Sequence, residues 1–527
     1  MKASRPRLVA TAVVVTGALG LTLLAGSTSP AAATSPGAPI LKVQNQPLYA
    51  NGRWGMLTQD LSSKKYLTSQ NAQQFFIPGS NAKLFSTAAL WGTLGPNYRF
   101  QTPVFRTGPA TNGTLSSNLV LVASGDLTMG GRTKPDGTVD FENFDHADAN
   151  ALPGFATLTP ENPLAGLNKL AQQVRASGIK KITGNVVIDD RLFDVDTEQN
   201  EEVPTYPISI NDNLIDVIAT PKAVGQKAGL DWRPKTAAYT VTSNVTTGAA
   251  GSAIKLSSKV TSPGHLLLSG SVPAGHAPVV YVHQIEDPPA FARTAFIEAL
   301  RRAGVTVTTT STGANPAALL PAKGSYAPSK QVAVFVSPKL SEYIKLIMKV
   351  SLNVGANLSV CLLAVHDHES ECLDGLPAEQ RWLSQTAKVD TKQLVLNDGQ
   401  GASQADLVTP QAVVDLLRYM QSRPDFARYR SVLPILGVDG SLAGVVPKSP
   451  AAGHVFAKTG TLAGPDFLNG RPVLSTKALG GYIKTKDGRL LAFSLLVNNV
   501  PIQDVNDVLT INTDLGKIAA LLWAGQR

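Results

Sequence analysis

The chain has 527 residues, of which 43% are apolar and 16% charged, which excludes a disordered chain and supplies core material for more than one domain. The formal net charge is +9. That balance favours association with an anionic cell-wall or membrane surface, but the basic residues are scattered and no nucleic-acid-binding motif accompanies them, so nucleic acid is excluded as a partner.

The first residues set the compartment. Lys2, Arg5 and Arg7 form a positive region, Leu8 to Leu24 is apolar and uncharged, and Ala31-Ala32-Ala33 supplies small residues. This pattern predicts a signal peptide over residues 1–33, cleaved after Ala33, and an exported protein, periplasmic or extracellular and cell-wall associated. The alternative is a retained membrane anchor, since the apolar run approaches spanning length. No Cys follows the run, which argues against a lipoprotein.

Residues 34–50 read as an N-terminal arm. Trp54–Leu61 and Lys65–Leu67 predict a hairpin around Ser62-Ser63-Lys64. A helix is expected to begin near Ser80, because Leu84, Thr87, Ala88 and Trp91 recur at helical spacing, and Gly92 and Gly95-Pro96 close it. From about 100 to 325 short β-like runs dominate: Leu119–Ala123, Asn185–Ile188, Tyr239–Thr242, Leu266–Leu268 and Val279–His283. Helices are expected near Pro163–Ser177 and Ala290–Ala303. After about 331 come helices at Leu340–Val350, Ala356–Val365 and Pro410–Tyr419, and a strand at Val455–Ala457. A hairpin of Tyr482–Ile483 and Leu490–Val497 and a terminal helix at Leu509–Trp523 follow. Strands and helices at both ends predict an α/β (α+β) domain assembled from the two ends, with the middle inserted into it. The only cysteines, Cys361 and Cys372, predict a disulfide in an exported protein. The rival reading of that segment is a metal site from His366, His368 and the nearby acids. The other histidines, His146, His265, His276, His283 and His454, are scattered and read as structural or surface residues.

Three short motifs carry chemistry. In Ser80-Asn81-Ala82-Lys83 the i, i+3 spacing puts hydroxyl and amine on one helical face, and a Ser needs such a base to become a nucleophile. Ser-x-x-Lys also occurs at Ser62, Ser177 and Ser252, but only Ser80 opens an apolar helix. Ser351-Leu352-Asn353 offers a second hydroxyl for proton relay and an amide for a substrate carbonyl. Taken alone it also reads as a turn or helix cap. Lys458-Thr459-Gly460-Thr461 follows a strand, so its backbone edge can lie beside an extended peptide. There Lys458 and Thr459 are expected to bind a substrate carboxylate, and Gly460 permits close approach. The N–H groups of Ser80 and Thr461 are expected to hold an oxyanion. A surface turn is the alternative for this segment. No Gly-x-Ser-x-Gly elbow exists to support an ordinary esterase triad. The reading needs no cofactor and no metal.

Taken in this order, the three motifs are the signature of penicillin-recognising enzymes. The chain resembles the D-alanyl-D-alanine carboxypeptidases/endopeptidases of the class C low-molecular-mass penicillin-binding proteins, the S13 peptidases. The spacing carries the resemblance, since Lys83 and Ser351 leave room for the large insert of that family. Ala123-Ser124-Gly125-Asp126, Gly184–Asp190, Ile210–Asn213, Asp398-Gly399-Gln400-Gly401, Gly437–Leu442 and Gly480-Gly481-Tyr482 also match. The resemblance implies a transpeptidase/β-lactamase-like catalytic domain from residues 34–100 and 326–527. It implies an insert domain II from 101–200 and 276–325, and a nested β subdomain III from 201–275. It also implies a peptidoglycan stem peptide as substrate and β-lactam antibiotics as covalent inhibitors at Ser80. In family terms Lys83 is the acylation base, Ser351 and Asn353 stand beside it, Lys458 holds the carboxylate region, and Asp189 helps read the diamino-acid side chain. Leu352 stands where many members have an acid, and Gln400 and Gln404 replace the family's Ser and Arg. A β-lactamase or D-amino-acid hydrolase on the same scaffold, and a non-catalytic wall-binding protein, are the competing readings.

Overall fold

The computed structural model describes residues 34–200 and 203–526. The expected signal peptide lies outside the described residues. Among the described residues no helix is long and apolar enough to cross a membrane.

Five antiparallel strands from both ends of the chain make one sheet: β1 (Arg53–Asp60), β2 (Tyr66–Gln70), β3 (Val455–Asp466), β4 (Arg471–Lys484) and β5 (Leu490–Pro501). Their order is β2-β1-β5-β4-β3, so β3 is an edge. Period-two alternation sorts the side chains of β4 and β5 onto two faces. Ala478, Tyr482, Ala492 and Leu496 meet a helical cluster, whereas Leu479, Ile483, Leu491, Phe493 and Val497 meet the terminal helix. The clustered helices include α1 (Lys83–Leu94), α2 (Leu340–Val350), α3 (Asn353–His366) and α4 (Pro410–Ser422). The terminal helix α5 (Val505–Trp523) is capped by Asp504, whose side chain accepts from the Asn506 N–H.

The strand at Val455 is much longer than its sequence suggested. Lys458–Thr461 also reads as a turn in sequence, and Pro465 lies further along the strand, but proline is tolerated on an edge strand. The β4–β5 hairpin turns on Gly488 with φ +86°. The helix α3 runs three residues earlier and one residue later than the expected Ala356–Val365. Cys361 and Cys372 form the disulfide.

The middle of the chain leaves and rejoins along paired strands, Gln101–Arg106 antiparallel to Gln331–Val336. Between them lie a sheet completed by Leu119–Val122 and Val186–Asp189, and a sheet of Gly229–Arg233, Leu214–Thr220 and Val279–Gln284. A further sheet is centred on His265–Pro273. Helices Ala165–Ala176 and Pro288–Arg302 pack Leu167, Leu170, Phe291 and Phe296 into the second core. The long connection from 127 to 162 is held by a buried ion network. Arg132 bonds Asp145 at 2.6 Å and Asp212 at 2.6 Å, and His146 bonds Asp216 at 2.6 Å and Asp212 at 2.9 Å. Burial works against the charge on His146, but Asp216 and Asp145 prevail and raise its pKa to about 10.

Candidate active site

Ser80 stands on a single 3₁₀ turn, Gly79–Ala82, and the α-helix begins only at Lys83. The sequence suggested a helix from Ser80. The tighter turn matters, because residues i and i+3 eclipse in a 3₁₀ helix. Lys83 Nζ consequently lies 2.6 Å from Ser80 Oγ. Its other partners are Asn353 Oδ1 at 2.7 Å and the Gln400 carbonyl at 2.9 Å. Lys83 is fully buried, and burial lowers its pKa to about 7, with Asp398 and Asp148 opposing the shift.

The loop that supplies the Gln400 carbonyl is folded around Asp398. That carboxylate accepts from the backbone N–H of Gln400 at 2.9 Å, Gly401 at 2.5 Å, Ala402 at 3.1 Å and Ser403 at 2.9 Å. Substitution of the family's Ser by Gln400 is harmless to this geometry, since Lys83 uses the main-chain oxygen.

Ser351 joins α2 to α3 in the left-handed region, φ 61° and ψ 34°, an uncommon conformation for a residue with a Cβ. It aims Oγ at Lys458 Nζ, 2.8 Å away, and leaves Asn353 to open α3 facing Lys83. Lys458 also donates to the Thr459 carbonyl at 2.8 Å. Burial, reinforced by Lys83 and Lys477, pushes the Lys458 pKa well below its ordinary value, against the pull of Asp148. Asn81 Nδ2 donates to the Lys458 carbonyl at 2.8 Å and ties β3 to the Ser80 turn. On the opposite side of β3, Thr459 Oγ1 lies 2.8 Å from Ser441 Oγ.

Two glycines let these backbones touch. Gly79 has φ +51°, and a Cβ there would lie 2.9 Å from the Thr461 nitrogen. A Cβ on Gly460 would lie 2.3 Å from the Pro78 oxygen. The Thr461 N–H thus sits beside the residue preceding Ser80.

Ser80, Lys83, Ser351, Asn353, Lys458, Thr459, Gly460 and Thr461 are therefore brought together. Asp189 is not part of this cluster. Its carboxylate receives Arg191 Nε at 2.8 Å and the Tyr326 hydroxyl at 2.5 Å. Gln404 Nε2 instead donates to Ser475 Oγ on β4 at 3.2 Å.

Sequence reading missed two charged neighbours. Asp148, at the end of the 3₁₀ turn His146–Asp148, comes within electrostatic reach of both Lys83 and Lys458. Burial raises its pKa to about 6. Its loop is fastened to the site by Asn143 Oδ1, which accepts from Gly440 N at 2.7 Å beside Ser441. Lys477, on β4, donates to Thr461 Oγ1 at 2.7 Å. Neither carries a motif signal, because each acts through register or loop path rather than local pattern.

The D-Ala-D-Ala carboxypeptidase 3 (S13) family pattern matches residues 39–521. The chain is 30% identical to the D-alanyl-D-alanine carboxypeptidase of Actinomadura sp. (strain R39) over 93% of this chain and 86% of that protein. The crystal structure of penicillin-binding protein 4 (DacB) from Haemophilus influenzae shares the fold, with a TM-score of 0.67 at 19% identity over 91% of this chain and 99% of that one. The same protein complexed with a β-lactam gives a TM-score of 0.65 at 20% identity over 91% and 98%. Ser80, the buried Lys83 and the two partner motifs therefore stand together on a transpeptidase-like fold matched over residues 39–521, and the chain belongs to the D-Ala-D-Ala carboxypeptidase 3 (S13) family of serine peptidases.

Proposed function

We propose that this exported enzyme cleaves peptidoglycan stem peptides after D-Ala, as carboxypeptidase and endopeptidase, through an acyl-enzyme on Ser80. The observation that carries this reading is the buried Lys83 amine, 2.6 Å from Ser80 Oγ with its pKa lowered to about 7. Neutral Lys83 takes the Ser80 proton as Oγ attacks the D-Ala carbonyl. The N–H groups of Ser80 and Thr461 hold the oxyanion while the C–N bond breaks. Lys83 then gives that proton up to the departing amine through the Ser351 hydroxyl, which Lys458 holds at 2.8 Å, and is neutral again. Water, deprotonated by Lys83, then hydrolyses the ester and regenerates Ser80. A β-lactam enters the same first step and leaves Ser80 acylated. The intact constellation favours turnover over a role confined to wall binding, and the rate of deacylation separates a peptidase from a β-lactamase.

Incubation with a fluorescent penicillin followed by peptide mass spectrometry is expected to place the adduct on Ser80. An adduct on any other residue would falsify the mechanism.

The lysine pKa gives a pH prediction. Lys83 must be neutral to accept a proton, so acylation rises as pH climbs through about 7. The Asp148 carboxylate stabilises the lysine cation and holds that midpoint up. Asp148→Asn is expected to move the acid limb of the acylation profile to lower pH and to raise the rate at pH 6 about twofold. A limb that stays in place, or moves up, removes Asp148 from the electrostatics of Lys83.

In place of the family's Arg, the Gln404 amide on Ser475 supports a neutral polar surface toward the stem-peptide side chain. With Asp189 held by Arg191 and Tyr326, any approach of its carboxylate to substrate requires those bonds to open.

A further inference from the structure

The strand β3 continues well past the site. Thr461 stands beside the Ser80 turn, and the strand runs on to Asp466, roughly 17 Å further along an extended chain. Its outer edge has no strand partner. The ladder from β4 to β5 ends where Val473 meets Pro501, but the β3–β4 ladder goes on through Pro465 opposite Pro472 and Asp466 opposite Arg471. A hairpin therefore projects beyond the end of β5 from the same strand that lies beside Ser80.

Its tip is unlike the rest of the surface. Phe467 is 90% exposed and Leu468 92%, whereas the next most exposed large hydrophobic among the described residues, Val224, reaches 62%. Neither belongs to a hydrophobic core. The turn does not need them. Asp466 accepts from the Asn469 N–H at 3.2 Å, from the Asn469 amide at 2.8 Å and from Arg471 Nε at 3.3 Å, and Gly470 takes φ +62°. Polar residues close the turn, and the two apolar ones are held out in water. Such a patch marks a binding surface. The Asp466–Arg471 pair leaves the tip without net charge, which disfavours an anionic lipid surface and suits a neutral ligand with an apolar face.

The chemistry at Ser80 decides which part of the substrate reaches this tip. The departing amine leaves by Ser351 and Lys458, whose Nζ also bonds the Thr459 carbonyl, so the leaving group lies toward Lys458. The acyl arm then runs the other way, past Thr461 toward Asp466, with its backbone along the free strand edge. In a stem peptide that arm holds about four residues and a lactyl link before the first sugar, roughly 15 Å when extended. The sugar ring arrives at Phe467 and Leu468. A pyranose presents C–H bonds on its faces and hydroxyls round its rim, so an aromatic ring covers a face while the rim stays in water.

We propose that Phe467 and Leu468 form a glycan subsite that grips the sugar carrying the stem peptide and so favours glycan-linked stems over free peptides. The proposal rests on the stem-peptide reading of the Ser80 site.

The test follows D-Ala release from a stem pentapeptide ending in D-Ala-D-Ala, offered free and joined to its GlcNAc–MurNAc disaccharide. The parent enzyme is expected to prefer the disaccharide form. Phe467→Ser combined with Leu468→Ser, two changes at exposed residues, is expected to lower kcat/KM for the disaccharide form about fivefold, through KM, and to change it less than about twofold for the free peptide. Phe467→Tyr, which keeps the ring, is expected to retain the preference. Equal effects on the two substrates, or none on either, overturn the proposal. Pelleting with phosphatidylglycerol vesicles and sedimentation velocity are run on the same variants. Loss of vesicle binding or of a dimer in the double variant, with selectivity unchanged, assigns the tip to a membrane or to a second copy and likewise overturns the glycan subsite. A parent enzyme that releases no D-Ala from either substrate sinks the stem-peptide reading and the subsite with it, whereas release from both with no dependence on the tip sinks the subsite alone.

Discussion

Lys83→Met is expected to slow acylation of Ser80 by about 10³-fold while leaving the folded enzyme intact, because it removes the base and not the framework. Loss of a general base is worth roughly 10² to 10⁴ in rate, and the position of Lys83 places it in the upper part of that range. An ordinary lysine, with a pKa near 10.4, is neutral in roughly one molecule in several thousand at pH 7. Lowering the pKa to about 7 makes the neutral form common at the same pH. All of that advantage is lost with the amine. Stability should not fall in parallel. Methionine occupies a similar volume, and the substitution removes the desolvation penalty of a buried cation. Against this, Asn353 Oδ1 and the Gln400 carbonyl each lose a donor. The net expectation is a melting temperature within a few degrees of the parent. Time courses with a fluorescent penicillin, read beside a thermal melt, check both halves. A variant that acylates within tenfold of the parent shows that another group takes the proton.

The parts of this site that were legible in sequence are those written within one segment. Ser80 and Lys83 were distinguished from three other Ser-x-x-Lys pairs by the apolar helix that follows, and that helix is present, wholly buried from Lys83 to Trp91. Alternation and helical spacing also located α2, α4 and the terminal helix to within a few residues. Three features were hidden for physical reasons. The left-handed turn at Ser351 is imposed by the junction of two packed helices, and nothing in Ser-Leu-Asn announces it. The length of β3 was masked by glycine and proline, which an edge strand tolerates and an interior strand does not. Lys477 and Asp148 act across the fold, one through strand register and the other through a loop held by Arg132 and His146, so no local pattern marks them. Lys458 shows the limit of motif reading in another way. Its place was predictable, but its commitment to Ser351 became visible only when the partner helix junction was seen.

Gly460→Ala is expected to cost about 2 kcal/mol of stability and more than 10²-fold in acylation, the second effect following from the first displacement. The added methyl would fall 2.3 Å from the Pro78 oxygen, 3.0 Å from the Ala478 Cβ and 3.1 Å from the Asn81 nitrogen. Two of the three obstacles are backbone atoms of the nucleophile turn, which no rotamer change can clear. Relief requires β3 and that turn to separate. Separation also stretches the Asn81 bond to the Lys458 carbonyl and carries the Thr461 N–H away from Ser80. An oxyanion donor moved by an ångström loses most of its effect, because its contribution depends on being fixed where the charge develops. Gly444→Ala is the matched control. A Cβ there meets nothing within 4 Å, so both melting temperature and acylation rate should stay at parental values. If Gly460→Ala instead acylates at the parental rate, β3 and the Ser80 turn are not coupled as closely as their backbone contact requires, and Thr461 cannot be the second oxyanion donor.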